Sequence, residues 1–376
     1  MKKYISFFER CDYLGYSPFQ VISNLLKPGK HSNISPLLDV QAVNRLYGEM
    51  KQEPVPYVYF PEEQALFEEI FIKVKKGNVN NLTRTSSYLD LFKRHPELHW
   101  SFLAHMVSRN AGYHMTDIHN DLLSHLMSHT EQQSLFEFLE QCNAAIFEDA
   151  YPQLLLYENW KLTGRHAFHL LKKFNVSIFM RKLWADYLKT GNHPVLTTAL
   201  IMNEQHLIQN KILSSPDFNM GIEKWKFFLQ DRLEFTSILF PYGKQSPYSL
   251  AGLSVSHFEK VDRRIQLGKK LYRVLFHPNV YPTALSFSLH HPHTGSREDY
   301  WPHIYSTVKK RKHLFSPELR AVWENVHYDD PSSPDWFREQ PIDVMSPLLT
   351  MTDPHRFSMT RKWKARTTIL LKLKRD

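Results

Sequence analysis

Apolar residues recur along most of this chain with a helical period, and the breaks between the periodic stretches carry helix start and stop signals. In "PEEQALFEEIFIKVKKGN" Pro61 stands in the first turn, acidic residues come early, lysines come late and Gly77 closes the run, the arrangement that suits the helix dipole. "NLTRTSSYLDLFKRHPELHWSFLAHMVSRNAG" reads as two further helices. They part near His95-Pro96, because the residue before proline avoids helical angles. Residues 121–148 place Leu122, Leu126, Leu135, Leu139, Cys142 and Ile146 at helical spacing, with a break near Thr130. Asp149 then resembles an N-cap, with Pro152 in the first turn of a helix reaching about Phe174. Ser177 caps the next helix, Gly191 ends it, and "HPVLTTALIMNEQHLIQNKIL" supplies another.

The flanks read differently. Pro18, Pro28, Pro36, Pro54 and Pro56 divide residues 1–60 into an arm of short helices and turns. After about Pro216, "ILFPYGKQSPYSLAGLSV" and "FHPNVYPTALSFSLHHPHTGSREDYWPHIY" are rich in Pro, Tyr and Ser, as loops or short strands are, around a helix at roughly 257–275. The expected fold is mainly α. A multi-helix array over 61–214 lies between the arm and a less regular, Pro/Tyr-rich region over 215–376 that packs on it. No repeat of 33–47 residues recurs, so a helical solenoid is not expected.

One helical stripe changes character along its length. His99, Phe102, Leu103, Met106, Arg109, Asn110 and Tyr113 share a face that begins apolar and turns polar. An unpaired buried guanidinium costs several kcal/mol or more, so Arg109 needs a partner. The stripe Leu196, Leu200, Leu207 runs through Asn203 and Glu204 on another helix and offers one. The sequence thus suggests an Arg109–Glu204 pair completed by Asn110 and Asn203. It is either a structural ion pair fixing helix register or an anion pocket, joined by Arg84, His99 and Arg297. His114, Asp117, Asp121 and His125 have a helical 3-4-4 spacing that suits metal ligands. Gly112, however, reads as a helix end that would take His114 off that face, so no metal is expected. In "HHPHTGSREDYW" the run Thr294, Gly295, Ser296, Arg297 reads as an ordinary loop turn or as an anion-holding one.

Composition narrows the class of function. Apolar residues make up 42% and charged residues 23%, the balance of a globular chain. No run of 18 apolar residues occurs, and the two cysteines, Cys11 and Cys142, form no disulfide framework, so a cytoplasmic location is expected. No phosphate loop, dinucleotide fingerprint or nucleophile elbow is present, and no cofactor is implied. The formal net charge of +9 favours an anionic partner, nucleic acid or an acidic membrane surface. Two runs concentrate it: "KKRKH" at 309–313 and the terminal "RKWKARTTILLKLKRD", where Trp363, Ile369, Leu370, Leu371 and Leu373 lie among cations.

Arg84, Thr85 and Tyr88, then "HPELHW", "AHMVSRNAG", "MTD", the later "NEQ" and "HPHTGSREDYW" make the chain similar to a family of proteins from bacilli catalogued as domain of unknown function 2515. The resemblance covers most of the chain. It implies a bacterial, cytoplasmic, mainly helical protein and transfers no catalytic residue. The leading expectation is a non-enzymatic binding or scaffold protein with a basic surface. The alternatives are an enzyme or small-anion binder built around Arg109 and Glu204, and a peripheral membrane protein held by the basic tail.

Overall fold

The helix starts and stops read from the sequence are, except at Gly112 and Asp149, the ones that form. In the computed structural model, residues 34–52, 57, 59–120, 127–213, 237–243, 248–255, 260–326, 328, 334–354 and 357–373 are described. After a short strand β1 (Ile34–Pro36) and helix α1 (Val40–Lys51), helix α2 (Pro61–Gly77) starts at Pro61, with Glu63 accepting from the Phe60 amide. Helix α3 (Asn81–Arg94) is opened by Asn80, which accepts from the Thr83 amide while Thr83 Oγ1 accepts from the Asn80 amide. His95-Pro96 separates it from α4 (His99–Asp117). Helix α5 (His129–Thr163) follows. Ser177 caps α6 (Ile178–Thr190), left-handed Gly191 ends it, and α7 (His193–Ile208) runs on into a wider turn, Gln209–Leu213.

Helix α5 corrects the reading of residues 129–174. It is one helix of 35 residues, capped by Ser128, with Asp149 and Pro152 in its interior and left-handed Gly164 at its end. A proline inside a helix forfeits one backbone bond and ordinarily costs about 3 kcal/mol. Here the turns around it bury Phe147, Ala150, Tyr151, Leu154, Leu155 and Leu156, and each large apolar side chain returns roughly 1.5–3 kcal/mol. Asp149 caps nothing. Its carboxylate accepts from Gln153 and Asn203.

Beyond residue 236 the chain forms an antiparallel hairpin, β2 (Ser237–Tyr242) with β3 (Ser249–Ser254), then helices α8 (Val261–Leu275) and α9 (Tyr281–His290). The second of these lies in a stretch read as loop or strand. Two-residue strands β4 (Tyr305–Ser306) and β5 (Leu314–Phe315) bracket the 307–313 loop, followed by a short helix α10 (Leu319–Val322). Strand β6 (Thr350–Thr352) pairs with β1, and the chain closes with helix α11 (Thr360–Leu373). Ile34–Asp376 is one compact unit, and its main hydrophobic core runs from Val43 through Trp100, Trp184, Phe240, Trp301 and Trp336 to Trp363, with smaller clusters around Phe136 and Phe138. The protein is mainly α. Among the described residues, no helix is long and apolar enough to cross a membrane. Pro18, Pro28, Pro54, Pro56, Cys11, Leu122 and Leu126 lie outside the described residues, as do the side chains of Ile369, Leu370, Leu371 and Leu373.

Candidate functional site

Helix α4 does not end at Gly112. It continues to Asp117, and Gly112 is a point of close approach. A Cβ there would lie 2.4 Å from Asn81 Oδ1 and 2.5 Å from His293 Nε2. The missing side chain lets the 291–299 loop lie against the polar end of the helix. Arg109, 1% exposed, donates to the carbonyls of His291 (2.7 Å) and Pro292 (3.3 Å), to Tyr113 Oη (3.1 Å) and to Asp299 (3.4 Å). Its guanidinium also covers the Phe287 ring at 4.7 Å. Asp299 accepts from Tyr113 Oη, the Thr294 amide and Thr294 Oγ1. Burial alone would raise the Asp299 carboxyl, but His293 and Arg109 hold it below the usual range.

Further along α4, Asp117 receives Arg297 Nε on both carboxylate oxygens at 2.8 Å, while Arg297 Nη2 meets His114 Nδ1 at 3.1 Å. Against the opposing push of burial, the Arg297 charge and the bonds from His114 and Arg297 keep the Asp117 carboxyl well below the usual range. The turn at Thr294–Arg297 is occupied by its own contacts. Ser296 Oγ donates to the Ser316 carbonyl, the Arg297 amide donates to Ser316 Oγ, and left-handed Gly295 lies against Leu319. His114 and Asp117 are both engaged with Arg297, and Asp121 and His125 lie outside the described residues. Among the described residues no group of three or more His, Cys, Asp or Glu side chains is placed to hold a metal ion.

The Arg109–Glu204 pair does not form. Helices α4 and α7 touch, but Glu204 meets Trp100 Nε1 (3.2 Å), about 2.5 turns before Arg109, and accepts a second bond from Gln205. Burial pushes the Glu204 carboxyl up to about 7. The two asparagines are also apart. Asn110 clamps β2 by accepting from the Leu239 amide (2.9 Å) and donating to its carbonyl (3.0 Å). Asn203 accepts from Ser177 Oγ and Trp336 Nε1 and donates to Asp149. Arg84 forms a separate buried pair with Glu140 and bonds Asn78. His99 lies elsewhere again, with Nδ1 2.8 Å from Tyr272 Oη and its ring stacked on Phe276.

Of the residues singled out from sequence, the structure therefore brings together Arg109, Asn110, His114, Asp117 and Arg297, around α4 and the 291–299 loop. Asn81, Tyr113, His293 and Asp299 complete the junction and were not singled out as site residues. One signal did point to Tyr113, His293 and Asp299, though not to Asn81: two polar-dense stretches in an otherwise apolar context, each needing partners the core could not give. Beside the Asp149–Asn203 contact lies a cavity of about 20 Å³ lined by Asp149, Asn175, Ser177, Asn210, Lys211 and Trp336. It is the size of one water.

The cations of the 309–313 run lie on the surface. Lys309, Lys310, Arg311 and Lys312 are exposed in the loop between β4 and β5. Helix α11 meets the same region, because buried Trp363 packs on Trp301 (5.1 Å) and under the Arg297 guanidinium (5.0 Å). The exposed Lys364 follows directly. Burial, then the charge of Lys364 and the neighbouring His313, lower the pKa of exposed His303, which places one residue from each run within electrostatic reach of one imidazole.

Fold and junction define a mainly helical protein whose polar loop is locked onto a buried Arg-Asn helix. The family model described as "Protein of unknown function (DUF2515)" matches residues 76–356, and the chain belongs to that family. It is 39% identical over 281 residues to "Uncharacterized protein YppC" of Bacillus subtilis (strain 168), an alignment that covers 73% of this chain and 85% of that protein. No solved structure matches the chain. The matched span holds α4, the 291–299 loop and Lys309–Lys312, and helix α11 follows it.

Proposed function

We propose that this chain is a bacterial cytoplasmic binding or scaffold protein, non-enzymatic, that turns a basic face toward an anionic partner. The observation that carries this reading is the closure of the polar junction. Both guanidinium groups are buried; every nitrogen of Arg109 donates within the chain, to Tyr113, Asp299 and the 291–292 carbonyls, and Arg297 gives Nε and Nη2 to Asp117 while its Nη1 is enclosed without a hydrogen-bond partner among the described residues. A catalytic or anion-binding arginine would keep donors open to a ligand. The pocket imagined between Arg109 and Glu204 loses its premise, since those side chains serve different partners. Exposed cations that can face such a ligand include Lys309, Arg311 and Lys312 with Lys364, and fixed charge of one sign attracts a polyanion from a distance.

The test compares Lys309→Glu/Arg311→Glu/Lys312→Glu with Arg109→Ala. Binding is followed by fluorescence anisotropy on a labelled DNA duplex and by co-sedimentation with phosphatidylglycerol vesicles, each across a salt series. The surface variant is expected to melt with the parent and to lose roughly tenfold or more in affinity with a shallower salt slope. Arg109→Ala is expected to melt lower and, below its transition, to bind as the parent does. Unchanged binding by the surface variant to both probes would refute the reading.

A further inference from the structure

Two half-buried histidines outside the junction stand side by side at the start of two helices. His99 opens α4, His193 opens α7, and their ring centroids are 5.3 Å apart with planes inclined by 37°. Each ring has Nδ1 fixed by a tyrosine hydroxyl, His99 by Tyr272 at 2.8 Å and His193 by Tyr187 at 3.0 Å. Neither Nε2 has a hydrogen-bond partner among the described residues, and neither is among their buried unpaired atoms.

Each tyrosine hydroxyl can accept from the Nδ1–H it faces, and in that tautomer the lone pair of each ring lies on Nε2.

We infer that His99 and His193 form a two-imidazole site for a borderline divalent cation of the zinc, cobalt or nickel type, with water completing the coordination. A metal-bound histidine commonly has its other nitrogen held by a hydrogen bond, and each Nδ1 here has one to a tyrosine hydroxyl. Two imidazoles sharing one tetrahedral ion through Nε2, at roughly 2.0–2.1 Å each, place their centroids about 5 Å apart. Imidazole is a favoured ligand for these ions. The site would tie the first turns of α4 and α7 together. It does not depend on the basic face.

The experiment uses the full chain after chelator treatment. Co²⁺ is titrated while its visible absorption is followed, and Zn²⁺ while the melting temperature is followed. The parent is expected to develop the visible bands of a nitrogen-bound, low-coordinate cobalt and to melt higher with zinc. His99→Ala and His193→Ala are each expected to lose both responses. Tyr187→Phe keeps both imidazoles and is expected to weaken binding by roughly tenfold. Should His99→Ala fail to fold, the other two variants carry the test. Absence of any response from the parent up to millimolar metal would overturn the site, as would responses that survive unchanged in His193→Ala.

Discussion

A guanidinium that has exchanged water for one carboxylate is costly to orphan. Arg297 is 2% exposed and holds Asp117 through both oxygens. Arg297→Ala leaves that carboxylate buried and uncompensated, with an expected loss of about 3–5 kcal/mol. Replacing the pair together, as Arg297→Met with Asp117→Leu, is expected to restore most of it, because no charge is then stranded. Urea unfolding of the three proteins checks both statements. Glu204 works in the opposite sense. Its carboxyl is raised to about 7 from an ordinary 4.5, so its contribution to stability is full below about 4.5 and is lost as pH rises through 7. Glu204→Gln keeps an acceptor for Trp100 and carries no charge. It is expected to be more stable than the parent at pH 8 by about 1–3 kcal/mol and equal to it at about pH 4. Thermal melts across that range decide the matter, and a gap that does not widen toward alkaline pH would sink the assignment. Asp117, held low, has the reverse dependence, and its contribution falls away in acid.

At the scale of elements, what the sequence displayed was local and what it hid was remote. Helices α2, α3, α6 and α7 were legible because Pro61, Pro96, Ser177 and Gly191 act within one turn of themselves. Helix α5 was misread because Asp149 and Pro152 look like a start signal, and only the core packing around them overrides it. Arg109, Asn110 and Arg297 could be picked out because a charged or amide side chain on a core stripe demands a partner. The partner could not be, since Arg109 relies on the His291 and Pro292 backbone carbonyls in a loop far along the chain, and any sequence has carbonyls. Gly112 shows both sides of this. As a letter it reads as a helix stop, and in the fold it is the gap through which Asn81 and His293 meet. Gly112→Ala would improve helix propensity and still force that contact apart. It is expected to cost about 1–3 kcal/mol and to make the 291–299 loop newly sensitive to limited proteolysis. A variant that melts at or above the parent would mean that Asn81 and His293 have room to retreat.

At the scale of the whole molecule, the net charge of +9 matters only where it is exposed and grouped, and the tail is not a free appendage that can be trimmed to test it. Trp363 is 5% exposed against Trp301 and Arg297, Thr360 Oγ1 accepts from the Leu250 amide, and the Met359 amide donates to the Leu250 carbonyl. Deleting the chain from Thr360 onward would therefore strip the core as well as the charge. The truncated protein is expected to lose about 3–5 kcal/mol, the cost of removing a buried tryptophan, so any loss of ligand binding by it would report unfolding as much as electrostatics. Arg361→Glu/Lys364→Glu separates the two effects. Both side chains are exposed on α11, so stability is expected to stay within about 0.5 kcal/mol, while affinity for the DNA duplex falls and its dependence on salt becomes shallower. Melting curves of the two proteins and one salt series make the comparison. If the truncated chain melts with the parent, Trp363 is not a core residue. If the charge-reversed chain binds as the parent does, the basic face ends at the 309–313 loop and α11 serves only to close the core.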